Sequence, residues 1–289
     1  MPPRPRRLLA AAIIAAAGVA ATATPAHAND PAVDTTRYVA LGDSFVSGPL
    51  VPDLTGNPLG CLRSTGNYPS LLADDLGIDE FVDVSCSGAE TEDMFAPQST
   101  LIGTNDPQLD AVTAETTLVT ITIGGNDLGF AGILVDCVTK GALNPLGSPC
   151  KDDYTADGDE LRDRIADTAP KVDDVLAAVT ERAPTATVAL VGYPAILPET
   201  NGCWPKVTIA RGDIGYLDGI EQELNAMLAD AAAAHGVTYV DTFQRGHDVC
   251  QDESTRWIEA IIPTQWAAPV HPNALGMSAM ADMVADALT

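Results

Sequence analysis

The sequence predicts an α/β chain, a three-layer α/β/α sandwich on a five-stranded parallel sheet. Two observations carry that expectation. Five short, mostly β-branched runs recur along the chain, each bounded by Gly, Pro, Asp or Ser. Long segments with helical periodicity lie between and after the later runs. Strands that alternate with helices pair in parallel through crossovers, and the crossovers cover both faces of the sheet.

In chain order the strands are Tyr38–Leu41, Phe81–Val84, Leu118–Ile123, Thr187–Val191 and Val237–Val240. From Asp159 to Ala183 apolar residues fall at Leu161, Ile165, Val172, Val175, Leu176 and Val179, close to a 3.6-residue period. From Ile209 to His235 one face carries Leu217, Ile220, Leu224, Met227 and Leu228, and Gly236 stops the helix. The last helix runs from Pro272 to Leu288, with proline in its first turn and Met280, Met283, Val284 and Leu288 facing inward. Segments 46–67 and 138–157, rich in Gly, Pro and Asn, read as surface loops. No repeat or shift in composition marks a second domain.

Residues 1–28 have the three-part layout of a secretory signal peptide. Arg4, Arg6 and Arg7 precede an apolar run from Leu8 to Ala21, and Ala26-His27-Ala28 supplies small residues around a cleavage point. The run is short of the ~20 residues that span a bilayer. Cleavage after Ala28 leaves residues 29–289 as one domain, exported to the extracellular space. The pair Arg6-Arg7 hints at twin-arginine export without deciding the route. Loss of three arginines takes the net charge from −25 to −28. Such a surface repels nucleic acid and anionic lipid headgroups and favours solubility.

All six cysteines fall in the mature part, and an even count in an exported chain points to disulfides. Spacing alone does not choose among the pairings; the sequential set Cys61–Cys86, Cys137–Cys150 and Cys203–Cys250 is expected. Each closed loop would contribute about 3–4 kcal/mol on the chain-entropy account. No Cys/His cluster has zinc spacing and no calcium loop occurs, so neither a metal nor a cofactor is expected.

Four stretches hold the chemistry, each at a strand's carboxyl end or a helix's amino end. The first strand runs into Gly42-Asp43-Ser44, which on its own reads better as a capped turn than as a site. Gly88, after the second strand, offers a backbone N–H unobstructed by a side chain. The third strand ends in Gly124-Gly125-Asn126-Asp127, where the Asn126 amide could donate to a developing oxyanion or merely cap a helix. Of the four histidines, His271 stands before Pro272 at the start of the final helix.

Taken together and in that order, Gly42-Asp43-Ser44, Gly88, Gly124-Gly125-Asn126-Asp127 and His271-Pro272 resemble the four blocks of the GDSL/SGNH hydrolase superfamily, and more narrowly its secreted actinobacterial lipases and esterases. The likeness runs from about Arg37 to the C-terminus. It implies a flavodoxin-like SGNH fold with three disulfides. It implies that Ser44 is the nucleophile, that His271 is its base, and that the Ser44 and Gly88 N–H groups and the Asn126 amide form the oxyanion hole. A serine hydroxyl needs such a base to attack.

The chain departs from the pattern at one position. The family places an aspartate three residues before the histidine, and here that position is Ala268. The Ala268 carbonyl is expected to orient the ring, with Glu259 as a remote alternative. The resulting expectation is a secreted serine carboxylic-ester hydrolase, a lipase, esterase or phospholipase forming a seryl-acyl intermediate. It acts as a monomer on a small-molecule or lipid ester, with no nucleic-acid partner and no stable membrane insertion. A carbohydrate O-acetyl esterase is the alternative, and an inactive binding module on the same fold is the third reading.

Overall fold

The structure, a computed structural model, describes Met1 and residues 33–289. The expected signal segment and its cleavage point therefore lie outside the described residues.

Five parallel strands form the main sheet: β1 (Arg37–Gly42), β2 (Glu80–Asp83), β3 (Leu118–Thr122), β4 (Thr187–Val191) and β5 (Thr238–Val240). Their spatial order is β2-β1-β3-β4-β5. Tyr38 lies opposite both Phe81 and Leu118, so β1 is paired on each side. The chain steps from β1 outward to β2 and then back across β1 to β3. The carboxyl ends of β1 and β3 therefore flank a topological switch point, where open α/β sheets leave a crevice for ligands.

The period-2 alternation of a strand sends successive residues of β1 to opposite faces. Val39 and Leu41 join one buried layer with helices α6 (Glu160–Arg182) and α7 (Ile214–His235). Tyr38 and Ala40 join the other with α2 (Tyr68–Leu76) and α8 (Ala274–Leu288). The six periodic residues expected on α6 are all buried, so its amphipathic stripe is its packing face. The fold is thus the three-layer α/β/α sandwich expected.

Four local expectations need correction. Helix α7 starts at Ile214, five residues later than expected, because Asp213 is held back by the Cys150 and Lys151 backbone N–H groups at 3.2 and 2.8 Å. Pro272 precedes α8 rather than opening it; Asn273 is the N-cap, accepting from Gly276 N. Segment 138–157 is largely helical, with α4 (Phe130–Leu143) running into it and α5 (Pro149–Tyr154) inside it. Gly141 lets α4 lie against the backbone of residues 208–210, where a Cβ would come within 2.2 Å of the Thr208 carbonyl. Segment 46–67 is partly ordered, with a 3₁₀ turn over Leu59–Cys61.

Three disulfides are present, Cys61–Cys86, Cys137–Cys150 and Cys203–Cys250. The second fastens α4 to α5. No helix among the described residues is long and apolar enough to cross a membrane.

Candidate active site

Ser44 opens α1 (Ser44–Ser47), a single turn at the carboxyl end of β1. The strand turns sharply there because Gly42 adopts φ 145°; a Cβ at that position would sit 2.4 Å from Val46 and 2.5 Å from the Thr122 carbonyl. The backbone N–H and C=O of Gly42 are both held by the buried Gln108 side chain, at 2.7 and 3.0 Å. Asp43 caps the turn by accepting from Phe45 N at 2.9 Å.

His271 reaches this turn from the other end of the sequence. Its Nε2 lies 2.7 Å from Ser44 Oγ. The ring packs against Phe45 at a centroid distance of 5.1 Å and meets the Phe130 ring edge at 6.4 Å. Burial pushes the His271 pKa below its ordinary value, and the bond from Nδ1 to a carbonyl pulls it partly back. A neutral imidazole is the form that accepts a hydroxyl proton.

That carbonyl belongs to Pro269, at 2.8 Å, and not to Ala268 as expected. The Ala268 carbonyl is already taken by the His271 backbone N–H at 3.2 Å, within a tight turn that puts Val270 at φ 59°. Glu259 plays no direct part in orienting the ring. Its carboxylate accepts from Arg256 at 2.9 and 2.7 Å, from Asn273 at 2.9 Å and from the Thr264 backbone at 2.9 Å. Burial alone would raise its pKa, but these donors outweigh it and bring the pKa down to about 2. The Glu259 backbone does brace the loop, since its N–H donates to the His271 carbonyl and its carbonyl accepts from Val270.

The expected oxyanion donors approach from two further loops. Gly88 follows β2 in a turn at φ 80°, a backbone region that glycine enters freely. The turn is fixed by Cys86 N donating to the Gly42 carbonyl at 2.9 Å and by the Cys61–Cys86 disulfide. Among the described residues the Gly88 and Ser44 N–H groups have no protein acceptor. Asn126, in α3 (Gly125–Leu128), gives one amide N–H to the Ala89 carbonyl at 2.9 Å. An amide has two such donors. Asp127 fastens the same two loops by accepting from Thr91 N at 2.9 Å and Thr91 Oγ1 at 2.6 Å.

One site residue escaped the sequence reading. Tyr193 follows β4, its hydroxyl donating to Asp43 Oδ2 at 2.6 Å and accepting from Gly125 N at 2.8 Å. It therefore joins the serine turn to the asparagine loop. Burial pushes the Asp43 carboxyl up to about 7, against the lowering effect of the Tyr193 and Phe45 hydrogen bonds. The signal was present: Tyr193 lies just beyond a strand's carboxyl end, where site residues collect.

From Ser44 and Asn126 a cavity of about 870 Å³, open mouth included, extends beneath α4 and α7. Its walls are mainly apolar, with Phe45, Phe130, Ile133, Leu224 and Val270 among them. Asp136, Cys137 and Cys150 are the only metal-ligand types grouped closely among the described residues, and both sulfurs there are spent in a disulfide.

Residues 40–279 match the GDSL-like lipase/acylhydrolase family. The chain belongs to that family. As a GDSL-like protein it is a carboxylic-ester hydrolase. It is 42% identical to Lipase 2 of Streptomyces coelicolor across 100% of this chain and 99% of that one. Among solved structures it resembles phospholipase A1 from Streptomyces albidoflavus, with a TM-score of 0.73 and 28% identity, covering 88% of this chain and 99% of the other. It also resembles the extracellular lipase of Streptomyces rimosus, with a TM-score of 0.71 and 31% identity over 87% and 99% of the two chains.

Proposed function

We propose that this GDSL-like hydrolase is a secreted lipase or esterase that works through a Ser44–His271 dyad and a seryl-acyl intermediate. The observation that carries the reading is the 2.7 Å contact between Ser44 Oγ and His271 Nε2 at the mouth of an apolar cavity. His271 takes the serine proton as Oγ attacks the ester carbonyl. Negative charge on the carbonyl oxygen is met by the Ser44 and Gly88 N–H groups and by the free N–H of Asn126. Collapse of the tetrahedral species leaves the acyl group on Ser44, and the alcohol departs with the proton from His271. Water then repeats the sequence to free the acid.

The cavity supports a longer acyl group over acetate, because its apolar wall would stay unused beneath a two-carbon chain. For the same reason the lipase reading stands ahead of a carbohydrate O-acetyl esterase. The similar phospholipase A1 makes a glycerophospholipid a natural test substrate. Given the charge of −28 after cleavage, a zwitterionic headgroup suits the surface better than an anionic one. Export with cleavage near Ala28 is part of the proposal, supported by the signal-like layout, the three disulfides and the extracellular S. rimosus relative. A monomer suffices, since every proposed site residue comes from one chain.

A fluorophosphonate probe and a chain-length series of esters test the reading together. The expected result is labelling at Ser44 and a maximum at eight or more carbons. Absence of labelling would end the assignment of Ser44 as nucleophile, and a sharp maximum at acetate would favour the O-acetyl esterase.

A further inference from the structure

Glu221 is out of place in the cavity. It lies on the face of α7 that also presents Leu217, Ile220 and Leu224 to the cavity, and it lines the same wall. A carboxyl group on an apolar wall is costly unless something there uses it. Its only hydrogen-bond partner among the described residues is the Ile196 backbone N–H, at 3.3 and 3.1 Å from its two oxygens.

Among the described residues no cation forms an ion pair with it. Arg245, whose charge reaches Glu221, is committed to Asp218 through both of its terminal nitrogens, and Gln222 also donates to Asp218. Burial pushes the Glu221 pKa well above the ordinary carboxylate range, and the Asp218 charge adds to the effect against the Ile196 N–H and Arg245. With one backbone partner for two oxygens, the carboxyl has hydrogen-bonding capacity to spare on the cavity wall. An under-satisfied carboxyl beside an acyl cavity is suited to a polar group on the acyl chain, and a hydroxyl, which both donates and accepts, can meet it on an otherwise apolar wall.

We propose that Glu221 is the specificity residue of the acyl cavity, hydrogen-bonding a hydroxyl carried along the acyl chain, so that hydroxy-fatty-acyl esters are a favoured substrate class. The proposal rests on the reading of Ser44 as nucleophile and of the cavity as the acyl site. A plain chain would cover Glu221 and leave its spare hydrogen-bonding capacity unmet, and sites built to hydrogen-bond a substrate hydroxyl discriminate against analogues that lack it.

The test compares nitrophenyl esters of plain fatty acids with esters of equal length bearing one hydroxyl at the 3, 8 or 12 position. Each is assayed on the wild-type chain, E221Q and E221L. Wild type is expected to favour at least one hydroxylated ester by about tenfold in kcat/KM. E221Q, which keeps a donor and an acceptor, retains the preference, and E221L loses it. Each preference is a ratio within one protein preparation, so a partly unfolded variant does not distort it. If E221L keeps the wild-type ratio, or wild type prefers no hydroxylated ester, Glu221 only anchors the Ile196 backbone and the proposal fails. If no ester of any kind is cleaved, the fault lies with the Ser44 reading instead.

Discussion

His271 Nδ1 meets the carbonyl oxygen of Pro269, two residues earlier in the chain, at 2.8 Å. A main-chain oxygen thus stands where many relatives of this fold use a carboxylate. It fixes the ring's orientation and leaves Nε2 as the acceptor towards Ser44, without placing a full negative charge behind the ring.

Restoring the carboxylate should therefore gain little. Ala268→Asp is expected to change kcat/KM by less than about tenfold, because the ring N–H already has its acceptor. Ser44→Ala and His271→Ala are each expected to lower it by about 10⁴-fold or more. Steady-state rates on one soluble ester check all three, and substantial turnover by either alanine variant would end the dyad assignment.

Asn126→Ala removes a proposed oxyanion donor along with the tie to Ala89. The expected loss is about 10²–10³-fold in kcat with little change in KM, the signature of a contact made chiefly in the transition state. A KM rise at constant kcat would instead make Asn126 a ground-state binding group.

The acid limb of kcat/KM should follow deprotonation of His271, whose pKa is depressed below 6.5. Only the neutral ring accepts the serine proton, so activity rises with pH and levels off above that pKa. The groups touching the ring, Phe45, Phe130, Ser44 and the Pro269 carbonyl, are uncharged. Asp43, one residue from Ser44 and pushed up to about 7, is the competing titration. An inflection that survives in Asp43→Asn belongs to the histidine; one that disappears belongs to Asp43.

Tyr193→Phe removes the hydroxyl that joins Asp43 to the Gly125 N–H. Two buried groups then each lose a partner, at an expected cost of about 1–3 kcal/mol in unfolding free energy. Turnover should fall more than KM rises, since the serine turn and the asparagine loop lose their common anchor. Urea titration and steady-state kinetics read the two effects separately.

Arg256 and Glu259 form a buried pair at 2.7 Å beneath the His271 loop. Arg256→Met leaves the carboxylate unpaired and is expected to cost about 3–5 kcal/mol. Glu259 is depressed to about 2 from an ordinary 4.5, so its contribution is fully present above pH 4.5 and is lost as pH falls through 2. Denaturant midpoints between pH 2 and 6 should show that loss in wild type and a flatter profile in Glu259→Gln.

Strands were the most legible part of the fold, because a buried β-branched run such as Leu118–Thr122 advertises itself whichever neighbours it acquires. Helix α4 was harder to read. Gly132 and Gly141 interrupt it, its apolar residues are not confined to one stripe, and Gly141 is there for a tertiary contact with the 208–210 backbone. Ser44, Gly88, Asn126 and His271 stood out through a shared order of motifs. Tyr193 and Gln108 did not: the place of Tyr193 beyond a strand's carboxyl end was a hint, but each acts on backbone or carboxyl groups far away in sequence, and no local pattern names such a partner.

The Cys61–Cys86 bond lies two residues from Gly88 and ties its turn to the neighbouring loop. Where the chain is made thus bears on how well it works. Synthesised in a compartment that keeps thiols reduced, the sheet and its helices could still assemble while one arm of the proposed charge-stabilising cradle stayed loosely held, giving protein that is soluble yet sluggish. For this enzyme, oxidation of a single cysteine pair belongs to maturation of the catalyst as much as to its durability.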